Sequence, residues 1–211
     1  MPSESNTALL ERPTPVLSPP QPETSQDPDS SGAPDSSSAE AGAEALMEIQ
    51  PATWEHAPAV IDIIRSSASW YEDIVEAEDL SEHYVDEAWA RKNFGRRDFH
   101  VGMVDDEVVG TISLQSVGDR YLYLGYVYLH VDHVGNGFGG DLLDFARDEA
   151  RRQGREGLVL IAHPDADWAC RAYLKYGFEV VAESREAVLG WEDGWLEPYY
   201  EEGFQLFRYT L

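Results

Sequence analysis

One glycine-rich run carries much of the information in this 211-residue sequence. It reads Leu129-His130-Val131-Asp132-His133-Val134-Gly135-Asn136-Gly137-Phe138-Gly139-Gly140. The residues before it are rich in tyrosine and branched side chains, which predicts a β-strand. Apolar residues recur at helical spacing after it, which predicts a helix with a buried face; they are Leu142, Leu143, Ala146 and Ala150. The run is therefore expected to form the turn between a strand and a helix.

A glycine-rich turn that opens a helix is suited to binding an anion. The first N–H groups of a helix have no acceptor within the helix. Glycines let the main chain approach a ligand closely, and the helix dipole adds a favourable potential. We therefore expect this turn to bind a phosphate group.

Neither of two well-known phosphate-binding motifs agrees fully with the run. The residues from Gly135 to Gly140 formally satisfy the Gly-x-Gly-x-x-Gly pattern of dinucleotide-binding folds. That pattern follows the first strand of a parallel sheet and precedes an acid by about 20 residues, whereas this run lies two thirds of the way along the chain. It is also no Walker A loop, since no Gly-Lys-Ser/Thr follows. A dehydrogenase and a purely structural turn are the alternatives.

From Met47 onward the pattern predicts one mixed α/β domain without internal repeats. The predicted strands are 47–51, 99–104, 108–114, 121–131, 158–162, 178–182 and 203–210, with Asp105-Asp106-Glu107 as a hairpin turn. The predicted helices are one that begins near Thr53, one over 80–94, one after the glycine run that ends at Gly154, and one over 167–176. Three meandering strands therefore precede a part in which strands and helices alternate.

Two segments resemble the conserved motifs of the GNAT family of N-acetyltransferases. The glycine run is similar to motif A, which has the form Arg/Gln-x-x-Gly-x-Gly/Ala between the fourth strand and the third helix. The second segment is similar to motif B, Ala-x-x-x-Tyr-x-x-x-Gly-Phe; it reads Ala169-Cys170-Arg171-Ala172-Tyr173-Leu174-Lys175-Tyr176-Gly177-Phe178. The resemblance extends over roughly residues 48–211. It implies a central mixed, mostly antiparallel sheet of six to seven strands, flanked by about four helices.

The resemblance also implies a cosubstrate, acetyl-CoA, which lies where the fourth and fifth strands diverge. The amides from Val134 through Gly140 would bind the pyrophosphate, and the strand end around residues 129–131 would bind the pantetheine arm and polarise the thioester carbonyl. Tyr173 falls on the tyrosine that protonates the departing thiolate in many relatives. The candidate cofactor-binding residues are Leu129, His130, Val131, Val134, Gly135, Asn136, Gly137, Phe138, Gly139 and Gly140.

The chain departs from the family pattern at several positions. Val134 stands where the family usually has Arg or Gln, and Ala166 stands where many members have Asn early in motif B. Relatives often use a glutamate on the fourth strand as the general base, whereas this chain has tyrosines and His130 there. His130 is a candidate base, and His133 and His163 are weaker ones. These departures favour one alternative, a non-catalytic acyl-CoA-binding or regulatory domain.

Two segments that are variable in the family are aromatic and acidic here. They contain Trp70, Tyr71, Glu72 and Asp73, and then Trp191, Glu192, Asp193, Trp195, Glu197, Tyr199 and Tyr200. Rings and carboxylates together suit a cation, so we expect the acceptor to be a primary amine on a small molecule or a protein. In the alternative interpretation the acids are solvated surface and the rings pack against the last strands.

The composition excludes several classes of protein. A net charge of −25 repels nucleic-acid phosphates, and no apolar run is long enough to cross a membrane. The single cysteine, Cys170, forms no intramolecular disulfide, and no histidine spacing indicates a metal site. Thirteen of the fifteen basic residues are arginines, a pattern that favours a halophilic protein of haloarchaeal type. We expect a cytoplasmic enzyme that could form a homodimer.

The first 46 residues differ in kind from the rest. They contain eight of the twelve prolines and nine serines, with a charge of −7 from eight acids and Arg12. Such a segment cannot bury enough apolar surface to offset its ordering entropy, and it lacks the basic and apolar regions of a signal peptide. We therefore expect a disordered acidic tail over 1–46 and a domain over 47–211, with Met47 as a possible natural start.

Overall fold

The computed structural model describes residues 46–76 and 80–211. The expected tail, apart from Leu46, lies outside the described residues. The strands are β1 (Glu48–Pro51), β2 (Asp98–Val104), β3 (Glu107–Val117), β4 (Tyr121–Leu129), β5 (Gly157–Ala162), β6 (Glu179–Ala182) and β7 (Gln205–Thr210). The helices are α1 (Ala57–Ser66), α2 (Glu87–Asn93), α3 (Phe138–Arg152), α4 (Asp167–Tyr176) and α5 (Arg185–Leu189). Within these residues no helix has the length and apolar character that a membrane crossing requires.

The seven strands form one sheet in the order β1-β2-β3-β4-β5-β7-β6. β4 and β5 pair in parallel, and the other neighbouring strands pair antiparallel. The prediction of a mixed, mostly antiparallel sheet with six to seven strands is therefore confirmed. The parallel pair arises because α3 carries the chain from β4 to β5, as a crossover between parallel strands must.

Two clusters of buried side chains cover the two faces of the central strands. Leu122, Leu124, Leu158 and Leu160 belong to the larger cluster, which includes the apolar faces of α1, α3 and α4. Tyr121, Tyr123, Val159 and Ile161 belong to the smaller one, with residues from α5 to Phe204. The strict alternation along β5 follows from the two-residue period of a strand whose two faces are both buried.

The β4 and β5 strands separate after three paired positions. Their pairing runs from Tyr121–Gly157 to Tyr123–Val159, and β4 then continues to Leu129 without β5 as a partner. β4 has a bulge where the two strands separate. One extra residue of β4 lies opposite Thr111–Ser113 of β3. Tyr126 lies in this bulge with φ of 49°, a left-handed conformation that bends the strand. The resemblance implied this divergence, and the structure confirms it.

Several predicted elements were wrong in extent. The helix predicted over 80–94 is interrupted: a 3₁₀ turn covers Leu80–His83, and α2 begins only after Asp86, whose carboxylate accepts a hydrogen bond from the Trp89 amide at 2.9 Å. β4 ends at Leu129 rather than at Val131, because a 3₁₀ turn covers Val131–His133. The hairpin after β2 has a two-residue turn formed by Asp105 and Asp106. The short helix α5 was not predicted.

Candidate active site

The glycine run forms an open turn at the N-terminus of α3. Gly137 precedes the helix with φ of 88°, and Gly135 has φ of 90°. A side chain at either position would be strained because positive φ disfavours residues with a Cβ, yet nothing lies within 4 Å of the Cβ that each would carry. The glycines are thus required by the backbone conformation, and they leave open space in front of the main chain.

The amides of this turn are available to a ligand. In the part of the chain that the structure describes, no acceptor binds the amides of Gly135, Asn136, Gly137, Phe138 and Gly139, whereas Gly140 donates to the Gly137 carbonyl at 2.8 Å. α3 is fifteen residues long, so the positive end of its dipole lies at the same place. The turn therefore presents main-chain donors and a favourable potential to an anion.

A cleft of about 460 Å³ lies between this turn and α4. Its lining residues are Leu129, Val134, Gly135, Gly137, Gly139, Gly140, Leu143, Ala172, Lys175 and Tyr176. Lys175 is one of two lysines in the whole sequence. No carboxylate stands among these described lining residues, although the chain has 40 acids. An anion in the cleft therefore meets a cation and neutral donors.

The other predicted cofactor residues lie around this cleft rather than in its wall. Asn136 and Phe138 line a neighbouring cavity together with His133, and the Phe138 side chain is buried in the core. His130 and Val131 follow the end of β4 and line neither cavity. The Val131 amide donates to Ser66 Oγ at 3.3 Å.

Tyr173 is completely buried on the inner face of α4. Its ring contacts Phe178 and Phe207, with ring centroids 5.7 and 5.9 Å away. Its hydroxyl has no hydrogen-bond partner, and burial, with a smaller contribution from Cys170, raises its pKa well above the usual value. A hydroxyl with a raised pKa stays protonated at neutral pH and is a weaker acid than an ordinary tyrosine.

The candidate bases among the histidines face acids at the surface. His130 Nε2 lies 3.7 Å from Asp62 of α1 and its Nδ1 lies 3.7 Å from Asp132. His133 lies 3.7 Å from Glu107. His163 Nδ1 accepts a hydrogen bond from the Asp165 amide at 3.2 Å, and burial lowers the pKa of its imidazole. None of these three side chains lines the cleft.

The aromatic residues before β7 are mainly core residues. Trp191 packs on Tyr121, and Trp195 and Tyr199 pack on Tyr123, with centroid distances of 5.1 to 5.5 Å. Glu192 forms an ion pair with Arg120. These contacts agree with the alternative in which the rings pack against the last strands. In the other segment Trp70 contacts Trp168 of α4, with centroids 6.2 Å apart.

A cluster of buried polar side chains that the sequence did not indicate as a group surrounds Tyr71. It consists of Tyr71, His83, Tyr128, Tyr173 and Glu201, and we call it the polar cluster. His83 stacks on Tyr71 with ring centroids 4.0 Å apart, and its Nδ1 lies 3.5 Å from Tyr128 Oη. Glu201 is 1% exposed. Burial is the main cause of the raised pKa values of Tyr71 and Tyr123; the charge of Glu201 makes a smaller contribution to both, and Arg97 opposes the rise at Tyr123.

No signal in the sequence singled out His83 or Glu201. Glu201 belongs to a run of acids that resembles solvated surface, and His83 falls in the interrupted helix. Lys175 lies at a position of motif B where the pattern specifies no residue. As for metals, no three His, Cys, Asp or Glu side chains of the described residues come together in a way that could hold an ion.

Comparison with solved structures shows the same fold. The PaiA N-acetyltransferase from Thermoplasma acidophilum, in complex with coenzyme A, has a TM-score of 0.62 at 19% identity over 79% of this chain and 99% of its own. An acetyltransferase from Streptococcus agalactiae has a TM-score of 0.59 at 16% identity, over 78% and 98%. A GNAT family acetyltransferase from Elizabethkingia anophelis with acetyl-CoA bound has a TM-score of 0.53 at 16% identity, over 78% and 98%.

Sequence comparison gives the family. A search of curated proteins finds no match to the sequence. The sequence profile described as the acetyltransferase (GNAT) family matches residues 59–178, which is more than half of the chain. The match begins within α1, extends past the end of α4 and includes the glycine turn. The chain belongs to the GNAT family of acetyltransferases.

Proposed function

We propose that this protein is an acetyl-CoA-dependent N-acetyltransferase that transfers the acetyl group directly to a primary amine in a ternary complex. The observation that carries the proposal is the row of free amides from Gly135 to Gly139 at the mouth of a cleft without carboxylates. Such donors at a helix N-terminus suit a diphosphate. Related folds with bound coenzyme A or acetyl-CoA support the same ligand here.

The residues present fit acetyl-CoA in charge and in shape. The amides of the glycine turn would hold the pyrophosphate, and Lys175 would add one positive charge at the α4 side of the cleft. Leu129 ends β4 beside the gap to β5, so its backbone is the nearest part of the strand to a pantetheine arm. Bound acetyl-CoA supplies the activated acetyl group, and the chain supplies orientation and proton transfer.

Tyr173 would be the acid in this reaction. It follows Ala172, which lines the cleft, and its protonated hydroxyl has no other partner in the described structure. Protonation of a thiolate leaving group needs a donor that is protonated at neutral pH, as the Tyr173 hydroxyl is, although burial raises its pKa and so makes it a weaker acid than an exposed tyrosine.

Removing the Tyr173 hydroxyl tests this role. Tyr173→Phe should lower kcat for amine acetylation at least tenfold while acetyl-CoA binds with unchanged Kd, because the ring still packs on Phe178 and Phe207. Free thiol release measures kcat, and isothermal titration calorimetry measures Kd. Tyr209→Phe, which removes a hydroxyl from the same aromatic layer, is the matched control. Equal kcat in the two variants would remove Tyr173 from the mechanism.

The proposal as a whole is tested by ligand binding and turnover. Acetyl-CoA should raise Tm and NAD should not, and the protein should release coenzyme A in the presence of an amine from a panel of polyamines, amino acids, aminoglycosides and peptides. Stabilisation by NAD alone would favour a dehydrogenase instead.

A second candidate is a non-catalytic acyl-CoA-binding domain that keeps the GNAT fold. The complete burial of Tyr173 and the valine at position 134 favour it. Such a domain would bind acetyl-CoA through the same turn, but would show no amine-dependent release of thiol with any member of the panel.

A further inference from the structure

The side chain of Tyr176 joins the two helices that border the cleft. Its hydroxyl donates a hydrogen bond to Asp144 Oδ1 of α3 at 2.7 Å and accepts one from Arg147 Nη1 of α3 at 3.2 Å. Asp144 and Arg147 also form an ion pair with each other, and we call the three side chains the helix bridge. Among the hydrogen bonds of the described residues, the two that link α3 to α4 both end on the Tyr176 hydroxyl.

The helix bridge lies at the wall of the cleft. Tyr176 lines the cleft beside Lys175, and Leu143, which lines it from α3, directly precedes Asp144. The Tyr176 ring packs on Tyr209 of β7 with centroids 5.4 Å apart, and this contact holds the ring in place. The bridge therefore sets the separation of α3 and α4 where the cleft lies between them.

The chemistry of the bridge makes it a firm link. A hydroxyl that donates to a carboxylate forms a stronger hydrogen bond than two neutral groups do. Burial and the bond to Asp144 raise the pKa of Tyr176, so its hydroxyl stays protonated and donates at neutral pH. The Arg147 side chain is 24% exposed, whereas that of Arg152 in an ion pair further along α3 is 72% exposed. Water therefore competes less with the bridge than with an ordinary surface pair.

The separation of the two helices matters for a ligand that contacts both. The free amides of the glycine turn precede α3, and Lys175 lies on α4. An anionic ligand reaches both sets of donors when the helices are held at the matching distance. It also binds more tightly if the chain is already ordered in that arrangement, because binding then carries a smaller cost in conformational entropy.

We infer that Tyr176 is a positioning residue whose hydroxyl, through Asp144 and Arg147, holds α4 against α3 at the separation that acetyl-CoA requires. This inference rests on the proposed function. The hydroxyl is engaged by two side chains of α3, so the bridge acts on binding and not on proton transfer. Loss of the bridge should therefore raise Kd and KM for acetyl-CoA and leave kcat at saturation unchanged.

Tyr176→Phe tests the inference, with Tyr209→Phe as the matched control. Phenylalanine keeps the ring contact at position 176 and removes the hydroxyl of the bridge, whereas the Tyr209 hydroxyl lies outside the bridge. Y176F should raise the Kd for acetyl-CoA at least fivefold by isothermal titration calorimetry. Its KM for acetyl-CoA should rise by the same factor, with kcat within twofold of the wild type. Y209F should leave Kd, KM and kcat within twofold.

A double-mutant cycle shows whether the hydroxyl acts through the bridge or on the ligand directly. Asp144→Ala removes the acceptor in α3, and Asp148→Ala is its control, because Asp148 also pairs with Arg147 but does not bond to Tyr176. D144A should raise the Kd at least fivefold, and D148A should leave it within twofold. The double variant Y176F/D144A should lie within twofold of the weaker-binding single variant, because both substitutions remove the same interaction.

The possible failures can be told apart. Equal Kd values in Y176F and Y209F would overturn the role of Tyr176 and leave the proposed function standing. A raised Kd in Y176F beside an unchanged Kd in D144A would mean that the hydroxyl binds the ligand itself, which would also overturn the bridge. If the wild-type protein binds no acetyl-CoA, the proposed function fails and this inference fails with it. The Kd measurements need no acceptor amine, so they decide the inference before the acceptor is known.

Discussion

The side chain of His83 shows how burial alone sets the protonation of a residue. It is fully buried, stacks on Tyr71, and has a pKa lowered by burial from 6.5 to about 4. The unfolded chain therefore binds a proton at this residue between pH 6.5 and pH 4 that the folded chain does not bind. The resulting stability is fully present above pH 6.5 and is lost as the pH falls towards 4.

This linkage gives a prediction for the free energy of unfolding. The free energy of unfolding of the wild-type protein should fall by about 3 kcal/mol between pH 7 and pH 4, because His83 takes up a proton in the unfolded chain. His83→Gln should be less stable at pH 7 but should lack this part of the pH dependence. Urea unfolding at several pH values measures the slope, and His100 and His163, whose pKa values are also lowered by burial, remain as a common background. Parallel slopes for the two proteins would show that His83 is accessible to protons in the folded state.

At the scale of elements, the turn before α3 depends on its glycine conformations. Gly137 has φ of 88° with open space around it, so Gly137→Ala adds backbone strain of roughly 1–2 kcal/mol and moves the free amides. We expect a lower Tm and an acetyl-CoA Kd at least tenfold higher. Gly154→Ala is the control, because Gly154 follows the other end of α3 with φ of 68° and equally open space. Calorimetry should show a similar loss of stability in G154A and an unchanged Kd; a rise in Kd in both variants would mean that stability, not the turn, controls binding.

At the scale of the whole molecule, charge repulsion opposes folding. Residues 1–46 account for −7 of the net −25, and residues 47–211 carry the rest. Exposed ion pairs such as Arg152–Glu149 and Arg185–Glu202 bring some charges together, but surface pairs contribute little each. At molar salt the Debye length is roughly 3 Å, so the repulsion is screened.

We therefore propose that the protein is adapted to high salt, and we predict that its Tm rises by several degrees between 0.05 and 1 M KCl. Differential scanning calorimetry measures the shift, and sucrose of equal osmolality serves as a control without ions. A Tm that is constant or falls over this range would contradict the adaptation to salt.

The elements that followed from sequence alone are those with strong local signals. α4 has the predicted bounds because Asp167 begins an apolar stripe and Gly177 ends it in a left-handed conformation. The buried residues of α3 include all four predicted positions. By contrast, the prediction of one helix over 80–94 was wrong. The apolar spacing does not show that Asp86 caps the N-terminus of a separate helix, α2.

The sequence by itself determined the family and the position of the glycine turn, because the turn needs particular residues at particular places along the chain. The tertiary structure alone revealed the bulge at Tyr126, the carboxylate-free cleft and the polar cluster. Tyr71, Tyr128, Tyr173 and Glu201 come from four separate parts of the chain, and an acid in an acidic sequence looks like surface until its neighbours are known. Burial depends on contacts between distant residues, and no local pattern contains that information.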